Sequence, residues 1–91
     1  MRVVFTKGAR DDIRSIKDFL SKKYPGIRRT VALRFGETFR RLSEFPRRGQ
    51  GVEGRQGIRV VFLIRYPYKI YYRIGKDFVE ILHVYQTSRN V

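Results

Sequence analysis

The sequence predicts an α+β fold of order β-α-α-β-β-β, in which a helical hairpin packs against one face of an antiparallel sheet. Three observations predict it: two stretches with apolar residues at helical spacing, one strand with strict alternation, and two C-terminal strand-like runs joined by a short glycine loop. Because the helices come together in the chain, we expect them to cover a single sheet face. The 91 residues predict one domain, residues 1–91, with one modest core.

The N-terminal half predicts a short strand followed by two helices. Val3-Val4-Phe5 is the strand, and the hydroxyl of Thr6 is suited to cap the helix that follows. The first helix is expected over about residues 9–24, because apolar residues recur there at steps of three and four and Pro25-Gly26 stops it. The second is expected from about residue 27 to residue 45, before the next proline.

The C-terminal half predicts a loop and three strands. Residues 47–57 hold four glycines and three arginines without apolar periodicity, which predicts an exposed, mobile basic loop. Residues 58–66 alternate as a strand, with Ile58, Val60, Phe62 and Ile64 on one face and Arg59, Val61, Leu63 and Arg65 on the other. A hairpin follows, formed by Lys69 to Ile74 and Phe78 to Tyr85 around Gly75-Lys76-Asp77.

Charge and composition narrow the function classes. The net charge of +13, from 21 Lys+Arg against 8 Asp+Glu, predicts an anionic partner such as nucleic acid, the ribosome or an acidic protein. The plainer alternative is that the charge serves only solubility. Without cysteine and with one histidine, the chain predicts no metal site and no cofactor, and a reducing cytoplasm is the simplest setting. No apolar run is long enough for a signal peptide or a membrane span, so we expect no membrane contact.

Several motifs occur together in one order along the chain. They are Gly57-x-Arg59, Tyr66-Pro67-Tyr68-x-Ile70-x-Tyr72-Arg73, Asp77-x-Val79-x-Ile81-Leu82-x-Val84 and Arg89. With the predicted order of elements, this pattern resembles the RelE/ParE toxins of bacterial type II toxin–antitoxin pairs. The resemblance implies that the chain either cuts messenger RNA in the ribosome, as RelE does, or poisons DNA gyrase, as ParE does, and that a co-expressed antitoxin neutralises it. A shared fold does not decide between these targets.

The resemblance also implies where nuclease groups would stand. RelE-like nucleases carry lysines on the strand corresponding to residues 59–64, where this chain has Val60 and Phe62. A cation is kept at Lys69, but Thr87 takes the place of a second arginine, and Gln86 the place of a histidine found in other relatives. Metal-free RNA cleavage needs an acid, a base and cations, so these departures favour the ParE-like branch, which is not an enzyme.

The candidate site residues follow from the resemblance and from the expected concave basic surface on the sheet face that the helices leave open. Contacts to the target are expected from Arg59, Arg65, Lys69, Arg73, Tyr85, Gln86 and Arg89. If the chain is a nuclease, the catalytic candidates are Lys69, Arg73, His83, Tyr85 and Arg89. His83 could transfer protons near neutral pH, although its place within a strand favours a hydrogen-bonded structural role.

The expected partner is an acidic, partly helical antitoxin segment that folds on binding between the helices and the sheet, giving a toxin–antitoxin hetero-oligomer. Leu33 or Phe39 would anchor it, unless both belong to the internal core. Three function classes stay open: a gyrase poison, a ribosome-dependent endoribonuclease that acts on messenger RNA, and an inactive basic module that binds nucleic acid without toxicity.

Overall fold

The computed structural model describes residues 1–87 and confirms the predicted fold class, with two helices packed on a five-stranded sheet. Short 3-10 turns at Pro25–Ile27 and Pro46–Arg48 follow the two helices. The elements are β1 Arg2–Phe5, α1 Lys7–Lys23, α2 Arg28–Glu44, β2 Gln50–Val52, β3 Arg55–Phe62, β4 Tyr68–Ile74 and β5 Phe78–Gln86. The strand order in the sheet is β1-β5-β4-β3-β2.

The sheet is mixed rather than wholly antiparallel. Strand β1 runs parallel to β5, with Arg2 opposite Phe78 and Phe5 opposite Ile81, whereas the other pairs are antiparallel. A parallel pair needs a long connection, and the two helices with strands β2 to β4 supply it here. The expected antiparallel sheet therefore differs from the structure at this one edge.

Helix α1 begins at the predicted cap. The Thr6 hydroxyl oxygen accepts a hydrogen bond from the Ala9 N–H at 3.0 Å and donates to the Leu82 carbonyl at 2.9 Å, so it joins the helix start to β5. Lys22 and Lys23 occupy the last turn, where positive charge complements the helix dipole. The two helices are joined through the Pro25–Ile27 turn, as the proline predicts.

Residues 47–57 do not form the mobile loop that their composition predicts. They contain β2 and the start of β3. The side chain of Tyr72, in β4, holds the residues just before β2. The buried Tyr72 hydroxyl donates to the Pro46 carbonyl at 2.6 Å and accepts from the Gly49 N–H at 2.9 Å. A Cβ on Gly49 would lie 2.6 Å from Tyr72 Oη, so this close approach requires glycine. Burial raises the pKa of Tyr72 above its ordinary value.

The core lies between the helices and one face of the sheet. Val61 of β3 and Leu63, just past its end, are turned towards the core, while Phe62 and Ile64 are 58% and 60% exposed. The wholly apolar face of β3 is therefore the face that points away from the helices. The buried core comprises Ala9, Leu20, Val31, Phe35, Leu42, Val61, Leu63, Tyr68, Ile70, Tyr72, Val79, Ile81 and Val84.

Within residues 1–87, neither helix has the length and apolar character that crossing a membrane requires.

Candidate functional site

Two surfaces of the molecule are open to partners, and the first is the side of β3, β4 and β5 that faces away from the helices. We call it the outer face. Its side chains form three rows across the strands, because neighbours in register point to the same side of a sheet. The rows are Phe62-Lys69-Tyr85, Val60-Tyr71-His83 and Ile58-Arg73-Glu80.

Aromatic rings occupy the centre of the outer face. The ring of Tyr85 stacks on that of His83, with 5.1 Å between centroids, and meets Tyr71 edge-on at 5.7 Å. The Lys69 ammonium lies 5.6 Å from the Tyr71 ring centroid, within the range of a cation–π interaction. Tyr85 and Lys69, both predicted as site residues, are thus neighbours on one surface.

A carboxylate on helix α1 orients the histidine. Asp12 Oδ2 accepts a hydrogen bond from the Val84 N–H at 3.0 Å and lies 2.9 Å from His83 Nδ1. The ring also packs against Gly8, where a Cβ would lie 2.7 Å from the imidazole Cε1. Strand β5 carries one extra residue, Leu82, at the register shift opposite Tyr71 and Tyr72, just before this contact. These contacts fit the structural role expected of His83.

The predicted basic surface is divided rather than continuous. Arg73 Nε donates to Glu80 Oε1 at 2.7 Å, which offsets its charge on the outer face. Arg59 donates to the Gly49 carbonyl at 2.8 Å and to the Arg47 carbonyl at 3.2 Å, and thereby supports the segment before β2. Arg65 lies in the turn before β4 with φ of 78°, a left-handed conformation.

The two remaining predicted contacts lie at the end of the chain. Gln86 is the last residue of β5 and lies opposite Tyr68 of β4. Arg89, a predicted target contact, lies outside the described residues. The outer face therefore brings together Lys69, Arg73 and Tyr85 of the predicted set.

The outer face lacks the groups expected of an RNA-cleaving site at the two positions where nuclease relatives carry lysine. Val60 and Phe62 stand there, on the same face as Lys69. The nearby Glu80 carboxylate accepts from Arg73, and Nδ1 of His83 is paired with Asp12. Among residues 1–87, no cluster of three or more histidine, cysteine or acidic side chains is arranged to hold a metal ion.

The second open surface is a groove between α1 and α2, which we call the helical groove. It has a volume of about 620 Å³, an apolar floor and three cations beside it. The small residues Ala32 and Gly36, one turn apart on α2, leave the space open, and no motif in the sequence pointed to them. The residues that line it are Ile13, Ile16, Leu20, Val31, Ala32, Phe35, Gly36 and Phe39, with Lys17, Arg28 and Arg29.

The two predicted antitoxin contacts occupy different places. Phe39 lines the helical groove and also packs in the interior, edge-on to Phe5 with 5.0 Å between ring centroids. Leu33 is 65% exposed and lies outside the residues that line the groove. Of the two predicted antitoxin contacts, Phe39 lines the helical groove and Leu33 does not.

Comparison with known proteins identifies the family. The family model described as ParE toxin of type II toxin-antitoxin system, parDE, matches residues 3–91. The chain belongs to the ParE toxin family. It is accordingly a toxin of the type II toxin–antitoxin class, and the resemblance to the ParE-like branch is confirmed. A comparison with curated proteins finds no match.

Solved structures of toxins share the fold of this ParE-family chain. The chromosomal ParDE system of P. aeruginosa superposes with a TM-score of 0.78 at 22% identity, covering 94% of this chain and 95% of the other. The isolated RelE toxin of E. coli superposes with a TM-score of 0.67 at 17% identity, covering 98% of this chain and 86% of the other. The RelB–RelE antitoxin–toxin complex of Methanococcus jannaschii superposes with a TM-score of 0.56 at 17% identity, covering 93% of this chain and 91% of the other. At these identities the likeness establishes the fold alone.

Proposed function

We propose that this ParE-family chain inhibits growth by binding and poisoning DNA gyrase, without being an enzyme, and that an acidic antitoxin segment bound in the helical groove neutralises it. The observation that carries the proposal is the outer face, where Val60 and Phe62 stand beside Lys69. Membership of the ParE family supports gyrase rather than messenger RNA as the target.

The chemistry of the outer face supports binding rather than cleavage. A metal-free ribonuclease must activate a 2′-hydroxyl, protonate a leaving oxygen and stabilise the charged phosphorane. Lys69 offers one ammonium group, and the Glu80 carboxylate on this face accepts a hydrogen bond from Arg73. Exposed aromatic rings with few free charges are typical of a surface that binds a protein or a base.

The helical groove supports an acidic, amphipathic helix as the antitoxin segment. Its floor accepts apolar side chains spaced along one face of an amphipathic helix, the mode in which a helix lies in a groove. Lys17, Arg28 and Arg29 beside it complement carboxylates on the polar face of such a helix. The net charge of +13 would attract an acidic segment from a distance, so capture is expected to be fast and sensitive to salt.

Induced expression without antitoxin tests the target. DNA synthesis and protein synthesis are followed by pulse labelling after induction, and the purified chain is assayed for inhibition of gyrase supercoiling. We expect DNA synthesis to fail first and supercoiling to be inhibited. Lys69→Glu should weaken both effects, while Lys22→Glu, which makes the same charge change on the last turn of α1, should leave them intact.

Two other outcomes would replace the proposal. If protein synthesis fails first and messages are cut, the outer face is a nuclease site despite Val60 and Phe62. If induction has no effect on growth, the chain is an inactive basic binding module.

A further inference from the structure

We propose that the outer face binds single-stranded nucleic acid, with two bases stacked on Phe62 and Tyr85 and the phosphate between them on Lys69. The proposal goes beyond the gyrase target, because it concerns the isolated chain and would hold whichever enzyme the toxin inhibits. It rests on the exposure, spacing and charge of the first row of the outer face.

Exposure is the first step. Helix α1 contacts the outer face at His83, but Phe62 and Tyr85 are 58% and 44% exposed. Ile64, just past the end of β3, is 60% exposed. Apolar surface gathered on one face in this way marks a binding site more often than scattered exposed residues do. Aromatic side chains on an open sheet face are one means by which proteins bind unpaired bases.

Spacing is the second step. Phe62 and Tyr85 are both in register with Lys69, on the strands to either side of β4. Neighbouring strands lie about 4.8 Å apart, so the backbones that carry the two rings are separated by roughly 10 Å. The row thus carries an aromatic residue, a lysine and an aromatic residue in register, an order that corresponds to the base, phosphate and base of one dinucleotide step. Tyr71, beside Lys69 and Tyr85, extends the aromatic surface into the second row.

Charge is the third step. Lys69 makes no ion pair with a carboxylate among residues 1–87, whereas Arg73 is paired with Glu80 in the third row. Arg55 and Glu53, of opposite charge, both line a cavity of about 360 Å³ that Tyr71 and Tyr85 also line. Lys69 therefore stands in register between Phe62 and Tyr85, with its ammonium 5.6 Å from the Tyr71 ring centroid. Duplex nucleic acid keeps its bases stacked on one another, so this arrangement selects single strands.

Fluorescence anisotropy of the purified chain tests the proposal. The probes are labelled oligothymidylate and oligouridylate of about 12 nucleotides, with a duplex of equal length, near physiological salt. We expect both single strands to bind more tightly than the duplex. Preference for the deoxy or the ribo strand would identify the source, and either supports the proposal.

Matched variants separate stacking from bulk charge. Phe62→Ala and Tyr85→Ala should each weaken binding at least about 5-fold, the effect of losing one stacked base, while Tyr85→Phe should retain it. Tyr24→Ala removes an equally exposed aromatic ring from the helical side and should change nothing. Lys69→Ala should weaken binding more than Lys22→Ala and lower the salt slope by about 1.

Three results would overturn the proposal. The first is equal affinity for duplex and single strands. The second is unchanged binding in Phe62→Ala and Tyr85→Ala while any lost lysine weakens it equally, which would mean that only net charge binds. The third is no binding near physiological salt. Circular dichroism checks that each variant is folded, and since the anisotropy assay contains no gyrase, its outcome is separate from the supercoiling assay.

Discussion

The helical groove and the outer face lie on opposite layers of the fold and differ in the chemical groups that they expose to a partner. The groove is a deep gap with an apolar floor and cations beside it, suited to a helix that supplies both apolar and acidic side chains. The outer face offers exposed rings beside the Lys69 ammonium, suited to flat groups rather than to a helix. The two surfaces therefore differ in the shape of partner that they fit, whereas the net charge of +13 attracts any anionic partner.

The two surfaces share helix α1. Ile13 and Ile16 line the groove, while Asp12, adjacent to them, bonds to Val84 and pairs with His83. A partner in the groove therefore contacts the helix that fixes one end of the outer face. Four predictions test the two surfaces and the contacts that support the fold beneath them, and the one with the largest expected effect concerns the groove.

Ala32→Glu should abolish neutralisation by the antitoxin while leaving toxicity intact. The new carboxylate would face an apolar floor and an acidic partner, and such like-charge contacts cost several kcal/mol, so affinity should fall about 100-fold or more. The measurement is rescue of growth on co-expression, with calorimetry on the purified pair. Leu33→Glu, one residue away but outside the groove lining, is the matched control and should still be neutralised. The opposite pattern would place the antitoxin on the Leu33 surface.

Gly49→Ala should reduce the free energy of unfolding by about 2 kcal/mol or more, because overpacking and a disturbed buried hydrogen bond add together. The added Cβ would lie 2.6 Å from Tyr72 Oη and 2.9 Å from the Val60 carbonyl. Gly51→Ala, two residues along, meets open space and should change stability by less than about 0.5 kcal/mol. Urea unfolding of the two variants provides the comparison. Equal stability would mean that the Tyr72 contact does not hold this segment.

Asp12→Ala should reduce the free energy of unfolding by about 1–2 kcal/mol, because it leaves the Val84 N–H and His83 Nδ1 without their shared acceptor. Asp11→Ala removes an exposed carboxylate that pairs with Lys7 and Arg14, and should have no measurable effect. Amide hydrogen exchange at Val84 should rise only in Asp12→Ala. If it does not, α1 does not fix the end of the outer face.

The sequence predicted what local patterns determine. The hairpin expected over Lys69 to Ile74 and Phe78 to Tyr85 appears as Tyr68–Ile74 and Phe78–Gln86, since glycine and β-branched residues specify it without distant partners. The helix bounds follow in the same way from Thr6 and the two prolines. Lys69 and Tyr85, each predicted as a site residue, belong to this hairpin, and the structure pairs them across it.

Other features depend on contacts between distant parts of the chain. The start of residues 47–57 is held by the hydrogen bonds that the Tyr72 hydroxyl makes with Pro46 and Gly49. A glycine-rich composition gives no indication of these bonds. Both faces of β3 carry enough apolar residues to be buried, so alternation alone could not show that Phe62 would be exposed. Asp12 was missed because a single acidic residue beside an apolar stripe is usually solvated. Arg59 was predicted as surface lining, but nearby carbonyl groups bind its guanidinium.

The smallest expected effect concerns the Arg73–Glu80 ion pair on the outer face. Glu80→Gln should change the free energy of unfolding by less than about 1 kcal/mol, because the Arg73–Glu80 pair is partly exposed to solvent. It also leaves Arg73 without its carboxylate, so single-strand affinity should rise and its salt slope should steepen by about 1. Glu44→Gln breaks a comparable pair with Arg40 on the helical side and changes net charge equally. If both variants raise affinity alike, charge acts over the whole molecule; if only Glu80→Gln does, the bound strand lies across the outer face.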